Sequence, residues 1–387
     1  MIGPQAGIER RVSSALDAVP SRIPIVLGGC GTGRTSMAER LRDRLGRGLA
    51  QYIDVERSAT TPERFLQAVT TDSPFPWHAT DRQPATPRES FDALLAFFNT
   101  ARAPGGEAVT FILDEVLELR TFESFPGLRH VVRELLASLA TSPNRFVLTS
   151  RYMARARRIL RDASQPFEII TVPPMSAADV TDMLAPTFNN YEQMAIEDRD
   201  HLGRAVQALT AGRVSYVAKV ADALSDARGR TTDPVSALVA LLSPGAPLER
   251  ECRFTYELRL HRARGYGALK AILDILALEE PLTLTEISIR LRRTPGSTKD
   301  YLSWLEDVDL VTARQKRYSF ADPLMRLWVR LHCRSTRATQ DEIAREVQNY
   351  TAARVPLRES APALAYAGAP ADASPDDRKN WGIIEID

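Results

Sequence analysis

A glycine-rich turn stands between an apolar run and a helical stretch close to the start of the chain. IPIVL leads into Gly28-Gly29-Cys30-Gly31-Thr32-Gly33-Arg34-Thr35-Ser36, and MAERLRDRL follows. Glycines let the backbone turn tightly enough for successive N–H groups to point inward, and the helix behind them adds the positive end of its dipole. Such a turn cradles phosphate oxygens. The spacing is that of G-x-x-x-x-G-K-[ST], with Arg34 where the pattern has Lys. Arginine keeps the charge but is bulkier and planar, so the exchange is not neutral at a tight phosphate site. Gly28 to Ser36 are the expected nucleotide-binding residues, Arg34 is the expected catalytic cation, and the Thr35 hydroxyl is placed to hold Mg2+.

A second apolar run, AVTFIL, ends in Asp114-Glu115. An apolar strand that delivers a carboxylate beside the cradle completes the arrangement. Asp114 would hold the metal with Thr35, and Glu115 would orient or deprotonate an attacking water. The ligands implied are ATP, or ADP, with Mg2+. No N-K-x-D guanine-reading motif occurs, which favours adenine.

Five apolar segments recur between Ile23 and Pro173: IPIVLGG, AQYIDVE, AVTFILDE, RFVLTSR and FEIITVP. Runs of that length are strands buried on both faces, and strands alternating with helices make a mainly parallel sheet. Residues 1–174 are therefore expected to form an α/β P-loop domain. From Ser176 the apolar residues recur at helical spacing alone, which gives an all-helical unit over 175–245. After a Pro/Gly break come a helical pair, LTLTEISIRLRR, a TPGS turn, TKDYLSWLEDV and two short strands on either side of Gln315. Helix, turn, helix and hairpin in that order make a winged helix, over 246–335. Residues 336–387 read as a helix and a flexible tail rich in Ala, Pro, Ser, Asp and Arg, ended by an apolar, β-prone WGIIEID.

Taken in order, these motifs, the LTSRY strand end among them, resemble the STAND branch of AAA+-related ATPases. More narrowly, the chain is similar to the archaeal-type ATPase family of archaea and bacteria. Its members carry Tyr-x-x-x-Asp-Pro-x-x-x-x-Trp just after the wing, here Tyr318-Ser319-Phe320-Ala321-Asp322-Pro323-Leu324-Met325-Arg326-Leu327-Trp328. The resemblance spans about Ile8 to Leu331. It implies the sheet order 5-1-4-3-2, a lid that closes over the nucleotide, and a polar sensor at Ser150 and Arg151, with Arg151 touching the γ-phosphate. In the lid, Ala211-Gly212-Arg213-Val214 stands where relatives have Gly-x-Pro, so Val214 replaces a proline that contacts adenine. Arg34 and Val214 both bear on nucleotide handling, and weak or slow turnover is the expectation.

The winged helix invites a DNA reading, with Lys299, Arg314, Lys316 and Arg317 as the contacts. Asp300, Glu306 and Asp307 on the recognition-helix segment, Ser297 to Val308, argue against it, because they would repel a DNA backbone. The Arg-rich segment with Arg155, Arg157, Arg158 and Arg161 reads as a solvated face, with an arginine finger or an interface as the alternative. The loop SPFPWHATDRQPATP reads as a surface loop.

The charge balance of 50 Lys+Arg against 49 Asp+Glu gives +1, so no global field draws the chain to nucleic acid or anionic lipid. No run of about 18 uncharged apolar residues occurs, and the start lacks the apolar core of a signal peptide. Three distant cysteines suit a reducing compartment, so the expected location is cytoplasmic, with no membrane partner. The scattered histidines make no zinc site, and no G-x-S-x-G elbow occurs. Three functional readings stand open: an ATP-dependent switch in signalling, regulation or defence, with a protein partner or self-association; a DNA-acting AAA+ ATPase of the origin-recognition or transposition-helper type; and a non-hydrolysing, nucleotide-bound scaffold.

Overall fold

The computed structural model describes residues 3–76, 84–161, 166–187, 194–226, 233–261 and 265–355. Trp77 and His78 of the proline-rich loop, and everything after Val355 including WGIIEID, lie outside the described residues. The chain opens with helix α1 (Gly3–Leu16), then β1 (Ile23–Leu27), the glycine turn and α2 (Arg34–Leu45). β2 (Ala50–Asp54) leads into α3 (Val55–Ser58), α4 (Pro62–Thr71) and α5 (Pro87–Thr100). β3 (Thr110–Asp114) is followed by a 3-10 stretch (Val116–Ser124) and α6 (Val131–Thr141); β4 (Arg145–Ser150), α7 (Met153–Ile159) and β5 (Phe167–Thr171) complete the sheet.

The strands run parallel in the order β2-β3-β4-β1-β5, which is the expected 5-1-4-3-2. β1 and β3 are buried along their whole length, as runs covered on both faces must be. Phe98, Phe111 and Phe146 form an aromatic seam under β3 and β4, with Phe98 and Phe111 centroids 4.9 Å apart and Phe111 stacked on Phe146 at 5.6 Å. The seam fixes the strands whose ends carry the site. In register, Asp54 faces Asp114 and Leu27 faces Ser150, so the carboxyl ends of these strands share one edge. Ligands of open α/β sheets bind at that edge.

Beyond the sheet come α8 (Ala177–Leu184), α9 (Ile196–Thr210), α10 (Val214–Asp226), α11 (Pro234–Leu242), α12 (Pro247–His261) and α13 (Tyr266–Leu278). Ser176 opens α8 with a capping box to Asp179. A small sheet then gathers β6 (Leu282–Thr283), β7 (Val311–Arg314) and β8 (Arg317–Phe320) in the order β6-β8-β7. Between β6 and β7 lie α14 (Leu284–Leu291) and α15 (Pro295–Asp307), and α16 (Pro323–His332) and α17 (Gln340–Ala352) follow. Helix, turn, helix and hairpin are thus in winged-helix order. The hairpin turns at Gln315 and Lys316, both at positive φ (51° and 63°), as a two-residue hairpin turn needs.

Two details differ from expectation. The second helix of the pair begins at Pro295, not Ser297, because Thr294 caps it and proline supplies the preset φ of a first helical residue. The Arg-rich segment is a solvated face only in part: Arg157, Arg158 and Arg161 are exposed, while the rest of α7 meets the winged helix. Its first N–H groups, at Met153 and Ala154, donate to the Asp309 carboxylate at 2.6 and 3.3 Å. Arg158 pairs with Asp307 at 2.6 Å, and Arg155 lies over the rings of Tyr152 (5.1 Å) and Trp304 (5.7 Å). The winged helix therefore docks on the sheet domain through α7 and α15.

Candidate nucleotide site

The glycine turn bends through Gly31 (φ 73°) and Gly33 (φ 81°), conformations that favour glycine, and Gly33 is the residue from which α2 starts. Thr35, in the first turn of α2, donates its hydroxyl to Asp114 Oδ2 at 2.8 Å. The Tyr52 hydroxyl donates to the same oxygen at 2.9 Å, and Thr149 donates to Oδ1. Burial first, and then the Asp114 charge, push the Tyr52 phenol well above its ordinary value, so it stays a donor. Thr149 in turn accepts from the Glu115 N–H at 3.0 Å, so one hydroxyl orders both acids.

Glu115 sits at φ 59°, an uncommon setting for a non-glycine residue that turns its side chain back across the strand ends. Its carboxylate accepts from Arg34 Nη2 at 2.5 Å, from the Arg151 N–H at 2.9 Å and pairs with Arg151 Nε at 3.2 Å. Arg34 also donates through Nη1 to the carbonyls of Gly28 and Gly29, the latter at 2.6 Å. Arg34 is thus folded into its own loop and ties the turn to Glu115. Both partners are only 7% exposed, and removing one member of such a pair costs about 3–5 kcal/mol through the charge left behind. Arg151 further pairs with Glu56. Burial opposes its charge, and the Glu115 and Glu56 carboxylates outweigh that and hold the guanidinium above its ordinary range.

A second wall comes from the helices beyond the sheet. The Ser215 N–H donates to the Gly31 carbonyl at 3.0 Å, and the Ser215 hydroxyl donates to Glu251 at 2.7 Å. Arg213 lies against the turn: a Cβ at Gly29 would stand 3.2 Å from its Nη1. Its Nε pairs with Asp322 at 3.4 Å, and Tyr216 donates to the same carboxylate at 2.8 Å. Arg259, on α12, donates to Cys30 Sγ at 3.4 Å and to the Asp309 carbonyl at 2.7 Å. The turn is therefore covered by guanidinium groups from two further units of the fold.

Of the expected residues, Gly28, Gly29, Cys30, Gly31, Thr32, Gly33, Arg34, Thr35, Asp114, Glu115 and Arg151 gather here. Ser36 is exposed one residue further along α2. The Ser150 hydroxyl accepts from the Tyr152 N–H at 3.1 Å instead of facing Asp114; Thr149 holds that place, since neighbouring strand residues point to opposite faces. Lys299, Arg314, Lys316 and Arg317 are all exposed on the winged helix, on different elements from the turn. Sequence reasoning does not assign Tyr52, Glu56, Arg213 or Arg259. Only Arg213 had a signal, its place beside the Gly-x-Pro position, together with Asp322 of the Tyr-to-Trp stretch.

No family profile and no curated protein matches the chain. Solved structures do. The Walker-type ATPase PABY2304 of Pyrococcus abyssi is similar at a TM-score of 0.62 and 15% identity, over 85% of this chain and 96% of that one. At that identity the likeness is one of fold. The Aeropyrum pernix ORC1 protein in complex with DNA matches at a TM-score of 0.42 and 16% identity, over 89% and 91% of the two chains. The Thermotoga maritima RuvB Holliday junction branch migration motor matches at 0.40 and 14%, over 82% and 92%. The chain has the fold of a P-loop α/β nucleoside triphosphatase.

Proposed function

We propose that this chain is an ATP-binding molecular switch of the STAND kind whose nucleotide site is held shut by its own lid and winged helix. The observation that carries the reading is the double tie of Glu115, to Arg34 on one side and Arg151 on the other, beneath Arg213 and Arg259. A carboxylate whose oxygens are already taken by two guanidinium groups and a backbone N–H has no oxygen free to meet water, so turnover waits on a rearrangement.

Magnesium ATP fits the donor set. The glycine N–H groups and the guanidinium groups around the turn suit phosphate oxygens, and the Thr35–Asp114 pair at 2.8 Å supplies hard oxygen donors for a divalent cation. A magnesium ion that takes most of its ligands from phosphate and water asks for no cluster of acids, and none is found among the described residues. When bound, the metal neutralises charge that develops on the phosphates. Thr35 and Asp114 would hold it, Arg34 and Arg151 would turn toward phosphate, and Glu115, released, would take the proton of the attacking water.

A second reading, a DNA-acting ATPase, gains from one observation. Of the acids that argue against DNA on the recognition helix, Asp307 pairs with Arg158 and Glu306 is partly buried, while Asp300 stays exposed. Arg292, Arg293, Lys299, Lys316 and Arg317 remain exposed. No helix among the described residues is long and apolar enough to cross a membrane.

The test is ATP turnover with and without duplex DNA for the wild type, Glu115→Gln and Thr35→Ala, each first checked for retained nucleotide. Turnover lost in Glu115→Gln and magnesium dependence lost in Thr35→Ala support the switch. DNA stimulation moves the conclusion to the second reading. ATP retained in every protein without turnover leaves a nucleotide-bound scaffold, and no ATP binding at all ends all three.

A further inference from the structure

Away from the turn, α9, α16 and α17 line a half-open cavity of about 780 Å3, within the size range of small-molecule sites. Arg326, Arg330 and Arg354 line it, together with the amides of Gln207 and Asn349 and the ring of Tyr350. We infer that this cavity is a binding site for a small phosphorylated organic molecule.

Three guanidinium groups line the one cavity, two from α16 and one just after α17, and the acids beside them do not balance them. Glu346 lies in the lining and is taken by Arg330 at 2.8 Å and by Arg334 at 3.6 Å. Glu280, outside the lining, pairs with Arg326 at 3.3 Å. Burial, opposed by the pull of Glu280 and joined by weaker repulsion from Arg330 and Arg354, lowers the basicity of Arg326. Arg330 Nε is buried without a hydrogen-bond partner, so the protein does not saturate this guanidinium. The Arg354 guanidinium lies 4.9 Å over the Tyr350 ring, and the Tyr350 hydroxyl is fixed on the Leu209 carbonyl at 2.8 Å. Guanidinium forks match phosphate oxygens in geometry as well as charge. The amides and the aromatic edge suit the organic part.

Two lining residues are chain neighbours of the ion pair that carries Arg213. Ala211 lies two residues before Arg213, and Pro323 follows Asp322, the partner of Arg213. A ligand here would bias how Arg213 sits over Gly29. That consequence rests on the proposed function; binding to the cavity does not.

The experiment is a calorimetric titration of the full chain with inorganic pyrophosphate and with AMP, for the wild type, Arg326→Gln/Arg330→Gln, Arg354→Gln and Thr35→Ala, with ATP binding measured in parallel. Charge-assisted contacts of about 1.5–3 kcal/mol each make the double variant at least about tenfold weaker for both probes. Arg354→Gln, an exposed site that leaves the core untouched, should weaken binding several-fold, and Thr35→Ala should leave the cavity's binding in place. Equal binding in the wild type and in a folded Arg326→Gln/Arg330→Gln protein, confirmed by the Arg354→Gln result, overturns the proposal. So does binding that sulfate at equal ionic strength removes as readily, since that is anion attraction without a site. ATP binding unaffected by Thr35→Ala counts against the nucleotide-turn reading alone.

Discussion

Arg34 decides how the turn behaves when nothing pulls on it. A lysine in its place has one ammonium and cannot span the Gly28 and Gly29 carbonyls and Glu115 with the same rigid fork. Arg34→Lys is therefore expected to free Glu115 and raise basal ATP turnover about tenfold, the worth of one charge-assisted hydrogen bond. A steady-state assay checks it, and a fall in turnover would show Arg34 to be a catalytic requirement, not a brake. Much of this site was legible in the chain: the glycine spacing placed the cradle, and an apolar strand ending in Asp114-Glu115 placed the acids. What was not legible is what those side chains do to one another. Arg34 bonding Glu115 depends on φ 59° at Glu115 and on a sheet register that no local pattern announces. Arg213, between α9 and α10, and Arg259, on α12, stand far along the chain, and only packing brings them to Gly29 and Cys30.

Among the elements, α8 and α9 meet closely at Gly203. Glycine within a helix ordinarily gains up to about 1 kcal/mol on replacement by alanine. Here a Cβ would stand 3.0 Å from the Ala177 carbonyl and collide with the Thr181 side chain. Gly203→Ala should reverse the usual sign and destabilise by about 1–3 kcal/mol in chemical denaturation; a stabilised variant would mean the two helices part easily. At the end of α16, His332 bonds the Leu242 carbonyl at 2.9 Å and ties α16 to α11. Burial, opposed by that bond, lowers its pKa below the ordinary 6.5. The unfolded chain then binds a proton that the folded chain resists, so stability is full above about pH 6.5 and declines as the pH falls below it. Thermal melts from about pH 7.5 down to about pH 5.5 should show a smaller loss for His332→Gln than for the wild type; equal losses would remove His332 from the acid response. Element types were readable from periodicity, since strands and helices here follow their apolar spacing closely. The surroundings of α7 were not: three arginines in one short helix look like a solvated face until Asp307, Asp309 and Trp304 of the winged helix are placed against them.

At the scale of the molecule, the winged helix serves two surfaces at once. Its inner side holds α7 through Asp307 and Asp309, while its outer side offers Arg292, Arg293, Lys299, Lys316 and Arg317 to solvent. A chain of net charge +1 has no overall attraction for DNA, so any binding must come from such a local patch and must be strongly screened by salt. Each phosphate neutralised contributes about −0.9 to the slope of log affinity against log salt. If the outer side meets duplex DNA, Lys316→Ala/Arg317→Ala should weaken binding and flatten that slope by about 2, with little effect on thermal stability because both side chains are exposed. Asp309→Ala tests the inner side, since it removes the carboxylate that caps α7 and should loosen the docking. A closed switch then turns over ATP faster in Asp309→Ala whether or not DNA binds. A DNA-acting enzyme instead responds to Asp309→Ala and to Lys316→Ala/Arg317→Ala only when duplex is present. No binding at low salt, together with faster turnover in Asp309→Ala, would leave the winged helix as a clasp that holds the site shut.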